Sequence, residues 1–574
     1  MNREIGAQAA PCGAVSPSAA IAESPAIIWL KQHSLLVFIA LVTIGSLRIV
    51  STYTVFNHTN DEPVHIACGM EWLDQGVYRC EPLHPPLARV AAALGPFLDG
   101  GTSHGNPGRY GEGLAILSAG GHYDRTLALA RFGILPFFWV ACLVLYWWGK
   151  HYFDALHAIL AVLIFSSLPP ILAHAGLATT DMALTAMVGA SFLSAVIWCE
   201  RPNMASCLVF GATSGLAVLS KFSALAFLPV AFVAALAGYL LVERPGAAAV
   251  FKQARARAST LCLAALVAFY IIWAGYRFSF GQVPFASLRL PFPELYSGVQ
   301  AVIERNRASV DFAYLLGEHS DSGWWYYYFV VLGVKTPLAF FGLLACGLFV
   351  AARNGVSRGL WLALAFSCSI LLFCLFSHIN LGVRHVMPVY IGFSIVAAAG
   401  AAALLNRARQ LRAAGWIGGT LLVALTATSA LAHPDYLAYF NGLAGSHPER
   451  ILVDSDLDWG QDMKRLGRRL QAVGATEVAF TPCLPADFGT LGLPPLAPSD
   501  FLHRSPGWNA MRLTVLELML ANKRSKDPGR HLWVEDFKPE EKIGKSILLW
   551  YFPPGTVPDP SAAMPGIRVH CPWQ

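Results

Sequence analysis

Eleven apolar stretches of about 15 to 27 residues follow one another through most of this 574-residue chain. A helix needs about 20 mostly apolar residues to cross the hydrocarbon core of a bilayer. The pattern therefore predicts a polytopic α-helical membrane protein with about eleven transmembrane helices. The predicted spans are 34–55, 126–148, 156–172, 182–199, 205–219, 222–242, 260–276, 325–351, 360–376, 386–405 and 416–432.

The composition excludes a disordered chain and an ordinary soluble enzyme. Charged residues make up 13% of the chain and hydrophobic residues 55%, with a mean hydropathy of +0.50. Soluble domains carry about 25% charged residues. The 41 Lys and Arg residues against 35 Asp and Glu residues leave a small excess, +6, so the charge balance does not indicate nucleic-acid binding.

The boundary at Lys221 is the weakest point of the span assignment. A single break between two apolar runs also fits a kink inside one long helix. We predict two separate spans on either side of Lys221.

The loop charges indicate the orientation of the chain. With the N-terminus inside, the short outer loops carry few basic residues, whereas the short inner loops carry many, as the positive-inside rule requires. These inner residues are Lys150, Arg201, Arg244, Lys252, Arg255, Arg257, Arg353, Arg358, Arg407, Arg409 and Arg412. The first span lacks a small-residue cleavage site, so we interpret it as an anchor.

This orientation predicts three parts of the chain. Residues 1–33 form a cytoplasmic tail, residues 34–432 form the membrane domain, and residues 433–574 form a small extracytoplasmic α+β domain. The long loops 56–125 and 277–323 also lie outside. A basic amphipathic helix over 461–470 and a strand over 547–552 are expected in the C-terminal domain.

Four of the 12 cysteines lie in the outer segments. An oxidising compartment would permit two bridges, Cys68 with Cys80 and Cys483 with Cys571, but the sequence alone does not determine the pairing.

Two adjacent carboxylates, Asp61 and Glu62, follow the first span. Neighbouring carboxylates repel, which raises the pKa of one of them unless a cation or hydrogen bonds compensate. The alternative is an ordinary helix N-terminus, because Asp, Glu and Pro63 all suit the first turn. The same loop continues with a rigid Pro-rich run that contains His84, and this context favours a functional site.

Further ionisable residues lie at the same ends of later spans. Asp181 caps the next helix or contributes to a site, and ionisable groups at membrane depth are candidates for function. Lys221 alone is best explained by snorkelling. Arg384 beside His385 offers a fork suited to phosphate oxygens, and Arg131 lies about one turn into the second span. Carboxylates and cations that lie at the same depth suit a group-transfer reaction. A carboxylate would take the proton of a hydroxyl nucleophile, and Arg or Lys would stabilise a departing phosphate.

With these residues the chain resembles the GT-C glycosyltransferases, in particular family 39, which includes protein O-mannosyltransferases and the aminoarabinose transferases that modify lipid A. The resembling features are Asp61-Glu62, His84-Pro85-Pro86-Leu87, Arg131, Thr180-Asp181 and the run from Arg384 to Tyr390. The tail segments 439–441 and 452–462 also resemble RgtA-like bacterial transferases.

The resemblance implies a GT-C-like enzyme of the bacterial inner membrane, with its C-terminal domain in the periplasm. It implies transfer, with inversion, of a sugar from a polyprenyl-phosphate donor to a lipid, glycan or protein acceptor. Asp61 matches the catalytic base and Glu62 its neighbour. The expected substrate-binding residues are His84, Arg131, Asp181, Lys221, Arg384 and His385. Membrane lipids are expected partners, and nucleic acid is not.

The carboxylate series at Asp454, Asp456, Asp458 and Asp462 resembles a calcium loop only in part, because Trp459 replaces the expected glycine and Arg465 stands at the twelfth position. We therefore predict that Asp458 or Asp462 caps the basic helix. His65 could join Asp61 and Glu62 around a divalent cation. No cofactor is predicted with certainty, no metal ligands are assigned, and a divalent cation remains open.

Two other classes of function compete with the transferase. A transporter or flippase of a lipid-linked or small solute would have a similar number of spans, but such proteins tend to show repeats and mid-membrane charges, which this sequence lacks. A non-catalytic scaffold would explain the C-terminal domain but not the ionisable residues at the ends of the spans.

Overall fold

A computed structural model describes residues 25–556, apart from 107, 286, 309–312 and 409, together with residue 571. Residues 1–24 of the expected cytoplasmic tail lie outside this part. The described chain is mostly helical, and its largest sheet lies in the C-terminal region. The prediction of a polytopic helical protein with a small C-terminal α+β domain is confirmed.

The region before the C-terminal domain consists of helices and two short hairpins. Its helices are α1 (Pro25–Gln32), α2 (Ser34–Val50), α3 (Glu62–Met70), α4 (Pro86–Leu98), α5 (Arg109–Ser118), α6 (Tyr123–Phe132), α7 (Leu135–Tyr152), α8 (Ala155–Ser166), α9 (Pro169–Ala175), α10 (Asp181–Glu200), α11 (Met204–Ser220), α12 (Ala224–Gly238), α13 (Ala247–Gly275), α14 (Pro293–Ala308), α15 (Tyr327–Lys335), α16 (Leu338–Asn354), α17 (Arg358–Cys374), α18 (Val389–Arg407) and α19 (Arg412–Leu431). The hairpins are β1 (Phe280–Gln282) with β2 (Arg289–Pro291), and β3 (Ala313–Leu315) with β4 (Glu318–Ser320).

Each of the eleven predicted spans coincides with one of these helices or with two consecutive ones. The helices α6 and α7 together form one long apolar segment, Tyr123–Tyr152. By length and composition, six helices within the described residues can cross a membrane, or nine if each bent pair forms one span. The shorter apolar helices α11 and α17, of 17 residues each, occupy the two remaining predicted spans.

Prolines break two of the predicted spans. The segment 325–351 was expected to be one span, but α15 and α16 meet at 110°. Thr336 is extended at this break and precedes Pro337, and a residue before proline disfavours the helical conformation. For the same reason, α8 and α9 meet at 71° where Leu168 precedes Pro169.

Lys221 separates two helices, as the prediction of two spans on either side of it requires. Lys221 has an extended backbone (φ −163°, ψ 141°) between the end of α11 and the start of α12. The two helices are therefore separate elements, and Lys221 lies at their junction.

The C-terminal domain is a five-stranded mixed sheet with two helices. Its elements are α20 (Met463–Ala472), β5 (Val478–Ala479), β6 (Leu496–Ala497), β7 (Gly507–Arg512), α21 (Leu513–Lys526), β8 (Glu541–Ile543) and β9 (Ile547–Phe552). The strand order is β6-β5-β7-β9-β8. β5 is parallel to β6 and β7, whereas β9 is antiparallel to β7 and β8. The predicted strand 547–552 is β9, and the predicted basic helix is α20.

Alternation along β9 buries both faces of this sheet. Ile547 and Leu549 belong to the same apolar cluster as the buried residues of α20. Trp550 and Phe552 belong to a second cluster with Val515 of α21. Because successive side chains of a strand point to opposite faces, the sheet is packed between apolar groups on both sides.

Both disulfide bridges that the sequence permitted are present. Cys68 of α3 is joined to Cys80, and Cys483 is joined to Cys571. The first bridge ties α3 to the loop before α4, and the second ties the end of the chain to the C-terminal domain.

Candidate active site

A cavity of about 1860 Å³ lies where the helix ends, α14 and the C-terminal domain meet. Five of the eight site residues expected from the sequence line this cavity, namely Asp61, His84, Lys221, Arg384 and His385. The structure therefore brings together residues that are up to 324 positions apart in the sequence.

An ion pair joins Asp61 to Arg384, 323 positions later in the sequence. Nη1 of Arg384 donates to Oδ2 of Asp61 at 2.9 Å. Asp61 lies directly before α3, and its side chain is 28% exposed. Burial alone would lower the pKa of Arg384, but the negative charges of Asp61, Asp181 and Asp454 raise that pKa above its ordinary value. Arg384 is therefore a permanent cation beside the expected base.

Glu62, the neighbour of Asp61, lies behind the cavity in a buried ion pair with Arg131. Nε and Nη2 of Arg131 donate to the two carboxylate oxygens of Glu62, each at 2.8 Å. The backbone N–H groups of Ala178 and Thr59 donate to the same oxygens at 2.9 and 2.7 Å. The structure thus places Glu62 and Arg131 away from the cavity, in contrast to the expectation that they contact substrate.

The environment of Glu62 favours its charged form. Burial raises the pKa of Glu62, but the charge and hydrogen bonds of Arg131 outweigh burial, and the pKa lies below its ordinary value. Arg131 also donates to the carbonyl oxygens of Tyr53 and Asn57, at 3.0 and 2.8 Å. The pair therefore holds the first turn of α3 against α6 and the end of the first span.

Asp181 does not line the cavity but forms an ion pair with Lys221, which does. Nζ of Lys221 donates to Oδ1 of Asp181 at 2.7 Å, and both side chains are buried. Nδ1 of His174 lies 4.0 Å from the other carboxylate oxygen. Asp181 is the first residue of α10, where the helix dipole favours a negative charge. It thus acts as the counterion of a lysine that lines the cavity.

His84 belongs to a cluster centred on Arg89, which sequence reasoning missed. Arg89 is fully buried, forms an ion pair with Glu81, and donates to Nδ1 of His65 at 3.1 Å. Its Nη2 lies 3.2 Å from Nδ1 of His84. Burial lowers the pKa of His84, and the charge of Arg89 lowers it further, although Glu81 opposes this. His84 is therefore neutral at pH 7.

The expected capping of α20 by Asp458 or Asp462 is wrong. Asp458 forms a buried ion pair with Arg512, with N···O distances of 3.0 and 3.2 Å. Asp462 precedes α20 but makes no side-chain cap; it accepts a hydrogen bond from Ser546 at 2.7 Å. The first N–H of α20 is instead bound by the Asn57 side chain at 2.8 Å. The helix is therefore capped from the membrane domain.

In the part of the chain that the structure describes, no set of side chains is arranged to bind a metal ion. No group of three or more His, Cys, Asp and Glu side chains there is placed to hold an ion. His65, which could have joined Asp61 and Glu62, instead accepts a hydrogen bond from Arg89.

One side wall of the cavity is apolar. Phe222, Leu225 and Phe227, at the start of α12, face the cavity together with Phe373 and Phe376 at the end of α17. Leu225 is 41% exposed and Phe376 is 82% exposed. The cavity therefore joins a charged floor to an apolar wall, which suits an amphiphile with an anionic head.

Comparison with known proteins gives one family match and several structural likenesses. Residues 128–273 match the family model described as dolichyl-phosphate-mannose-protein mannosyltransferase. Among the curated proteins, none matches the chain.

The structural likenesses are distant. ArnT from Cupriavidus metallidurans bound to undecaprenyl phosphate is 12% identical, with 89% of this chain and 97% of that chain covered and a TM-score of 0.47. The oligosaccharyltransferase AglB from Archaeoglobus fulgidus, in complex with an inhibitory peptide and a dolichol-phosphate, is 14% identical with a TM-score of 0.49. The alignment covers 75% of this chain and 59% of AglB.

The matched segment contains Arg131, Asp181 and Lys221 and covers about a quarter of the chain. Over residues 128–273, the family match supports the glycosyltransferase resemblance that the sequence predicted.

Proposed function

We propose that this protein is a membrane glycosyltransferase that moves a sugar from a polyprenyl-phosphate donor to an acceptor hydroxyl at the outer face of the membrane. The observation that carries the proposal is the Asp61–Arg384 pair, 2.9 Å apart, in a cavity with an apolar side wall. A carboxylate and an arginine side by side supply a general base and a phosphate ligand. The family match over residues 128–273 supports the same class of reaction.

In the proposed reaction Asp61 takes the proton of the acceptor hydroxyl. The oxygen attacks the anomeric carbon from the face opposite the phosphate. The bond from that carbon to the phosphate oxygen breaks, and the lipid phosphate leaves with the electron pair. The configuration at the anomeric carbon is thus inverted. Fixed cations that stabilise the leaving phosphate lower the barrier.

Arg384 can bind both the Asp61 carboxylate and the phosphate of the donor. Its guanidinium has five N–H donors, of which Nη1–H binds Asp61 and Nε–H reaches the Leu381 carbonyl at 3.3 Å. The remaining donors can bind phosphate. The monoanionic phosphodiester of the donor competes with Asp61 for the charge of Arg384, so donor binding weakens the ion pair and leaves the Asp61 carboxylate free to accept the proton of the acceptor hydroxyl.

Lys221 and His385 line the same cavity and extend this phosphate site. Lys221 forms an ion pair with Asp181, which lies behind it. Burial lowers the pKa of His385 well below its ordinary value, and the charges of Lys221 and Arg384 act in the same direction. His385 therefore takes part as a neutral hydrogen-bonding group, and His84 supplies a second one.

We assign Glu62, Arg131 and Asp181 to positioning roles. The Glu62–Arg131 pair fixes the first turn of α3, and therefore fixes the carboxylate of Asp61. The apolar residues of α12 and α17 are proposed to hold the first isoprene units of the donor, because an anionic head and an apolar chain then meet matching surfaces.

The proposed location is a bacterial inner membrane. Residues 34–432 form the membrane domain, and the loops 56–125 and 277–323 and the domain 433–574 lie in the periplasm. The acceptor is a lipid, a glycan or a protein that reaches the cavity from that side. A transporter is less well supported, because Asp181, Lys221 and Arg384 lie at the ends of helices and not in the middle of a span.

Mass spectrometry of envelope glycans and lipids from cells with and without the protein tests this proposal. We expect one product class to lose the mass of a single hexose or pentose when the protein is absent. Unchanged envelope components, together with uptake of a labelled solute by proteoliposomes, would contradict the proposal and favour a transporter.

A further inference from the structure

One short segment of the C-terminal domain contacts the loop that carries Arg384. Oγ of Ser455 donates to the carbonyl oxygen of Leu381 at 2.8 Å. The N–H of Val383 donates to Oδ1 of Asp456 at 3.1 Å. These two hydrogen bonds hold the backbone on the N-terminal side of Arg384.

Trp459 of the same segment contacts Arg384 itself. The guanidinium carbon of Arg384 lies 4.3 Å from the centre of the indole ring. The side chain of Trp459 is almost fully buried, at 2% exposure. Arginine stacks on aromatic faces because its planar cation is weakly hydrated, and such contacts are strongest where water is excluded.

Trp459 also reaches the other half of the ion pair. Its carbonyl oxygen accepts a hydrogen bond from the N–H of Asn60 at 3.1 Å, one residue before Asp61. The N–H of Trp459 donates to Oε1 of Gln461 at 2.8 Å. The residue is thus fixed within its own domain and contacts the neighbourhoods of both Asp61 and Arg384.

A free arginine side chain has many rotamers, and ordering it costs about 1.5–2 kcal/mol. The indole ring lies against the guanidinium while Nη1–H binds Asp61. In the proposed reaction the remaining N–H groups of Arg384 bind the donor phosphate. Without the ring, Arg384 would sample orientations that satisfy neither ligand.

We propose that Trp459 is a positioning residue for Arg384, so that the C-terminal domain completes the active site and is not a separate binding module. The role in transfer rests on the proposed function. The stacked geometry of Arg384 does not, and it can be measured by itself.

The first test is a kinetic double-mutant cycle. We expect Trp459→Leu to lower kcat/KM about 30-fold, equivalent to about 2 kcal/mol of lost cation–π support, and Trp459→Phe to recover most of this loss. In an Arg384→Ala background, Trp459→Leu should have no further effect. An equal loss in both backgrounds would overturn the inference, because Trp459 would then act independently of Arg384.

A matched control separates positioning from general loss of stability. Trp533 is another buried tryptophan of the same domain, but it packs against Trp550. Trp533→Leu should lower the melting temperature without changing kcat/KM of the folded protein. If Trp459→Leu does not fold, Ser455→Ala replaces it. Loss of the Leu381 contact should then lower kcat/KM about fivefold, equivalent to about 1 kcal/mol, and no change would contradict the inference.

The second test does not need sugar transfer. Phenylglyoxal modification of Arg384, followed by mass spectrometry of the full-length protein, reports how firmly the guanidinium is held. We expect Trp459→Leu to accelerate modification several-fold relative to wild type and to Trp533→Leu. Unchanged modification would overturn the inference. Accelerated modification in a protein that transfers no sugar would support the positioning role and refute the proposed function.

Discussion

Replacing Arg131 with methionine removes the counterion of Glu62 while keeping an unbranched apolar stem. The two side chains are at most 1% exposed, so water does not reach either charge. After the substitution Glu62 keeps the hydrogen bonds from the N–H groups of Thr59 and Ala178 but faces no cation. Breaking a buried ion pair by removing one partner costs about 3–5 kcal/mol.

A second substitution shows how much of this cost comes from the unpaired charge. Glu62→Gln in the Arg131→Met background removes the charge and should restore about 3 kcal/mol of the loss. Recovery should be incomplete, because the carbonyl groups of Tyr53 and Asn57 also lose their donor, at about 1 kcal/mol each. The single variant should therefore be less stable than the double variant.

Titration of the purified protein with SDS in mixed micelles measures these free energies of unfolding. We expect the order wild type, double variant, Arg131→Met, from most to least stable. Wild-type stability of Arg131→Met would refute the positioning role of the pair. A folded, fully stable Glu62→Gln protein that transfers no sugar would also refute it and would restore Glu62 as a catalytic residue.

Three further predictions concern separate parts of the molecule. Lys221→Met should lower kcat/KM for the donor about 10- to 100-fold, because a charged hydrogen bond of about 1.5–3 kcal/mol is lost. Initial rates at varied donor concentration measure this, and unchanged rates would contradict it. Lys150→Met, at the opposite end of the bundle, is the control. Burial raises the pKa of Asp462 to about 6. The folded protein thus holds this proton more tightly than the unfolded chain. As the pH rises from 4 to 7.5, wild type should therefore lose about 2.5 kcal/mol of stability relative to Asp462→Asn. Thermal unfolding at pH 4 and 7.5 checks this, and a pH-independent difference would contradict it. The double substitution of Cys68 and Cys80 by Ser removes a bridge between residues 12 positions apart and should lower the free energy of unfolding by about 3 kcal/mol in SDS titration. Treating wild type with a reductant should lower it by the same amount. An unchanged free energy of unfolding in both experiments would contradict a stabilising role of the bridge.

The positions of the membrane helices could be predicted because the length of an apolar run is a local property. The segments 182–199 and 386–405 correspond closely to α10 and α18. The 110° break between α15 and α16 was not predicted. At this break Nζ of Lys335 donates to the Leu437 carbonyl oxygen at 2.8 Å, a contact with a residue 102 positions away that no local pattern predicts.

The residues of the candidate site were easier to predict from the sequence than the residues that contact them. Asp61 and Glu62 are adjacent, but neighbouring residues near a helix start point in directions about 100° apart, so only Asp61 faces the cavity. Arg89 was missed because it looks like one basic residue of an amphipathic helix. Trp459 was considered as the residue that replaces the expected glycine of a calcium loop and not as a partner of Arg384, because its contact with Arg384 depends on the docking of a separate domain.

The Asp61→Asn substitution tests the central claim most directly. Asp99→Asn is the matched control, because Asp99 lies in the same loop, pairs with Arg125 and is similarly exposed, but does not line the cavity. The assay measures sugar transfer per folded molecule in proteoliposomes, with the amount of folded protein determined by size-exclusion chromatography. We predict that Asp61→Asn lowers transfer by about 10²- to 10⁴-fold, the usual contribution of a general base, while Asp99→Asn retains wild-type transfer. A folded Asp61→Asn protein that transfers sugar at the wild-type rate would contradict the account.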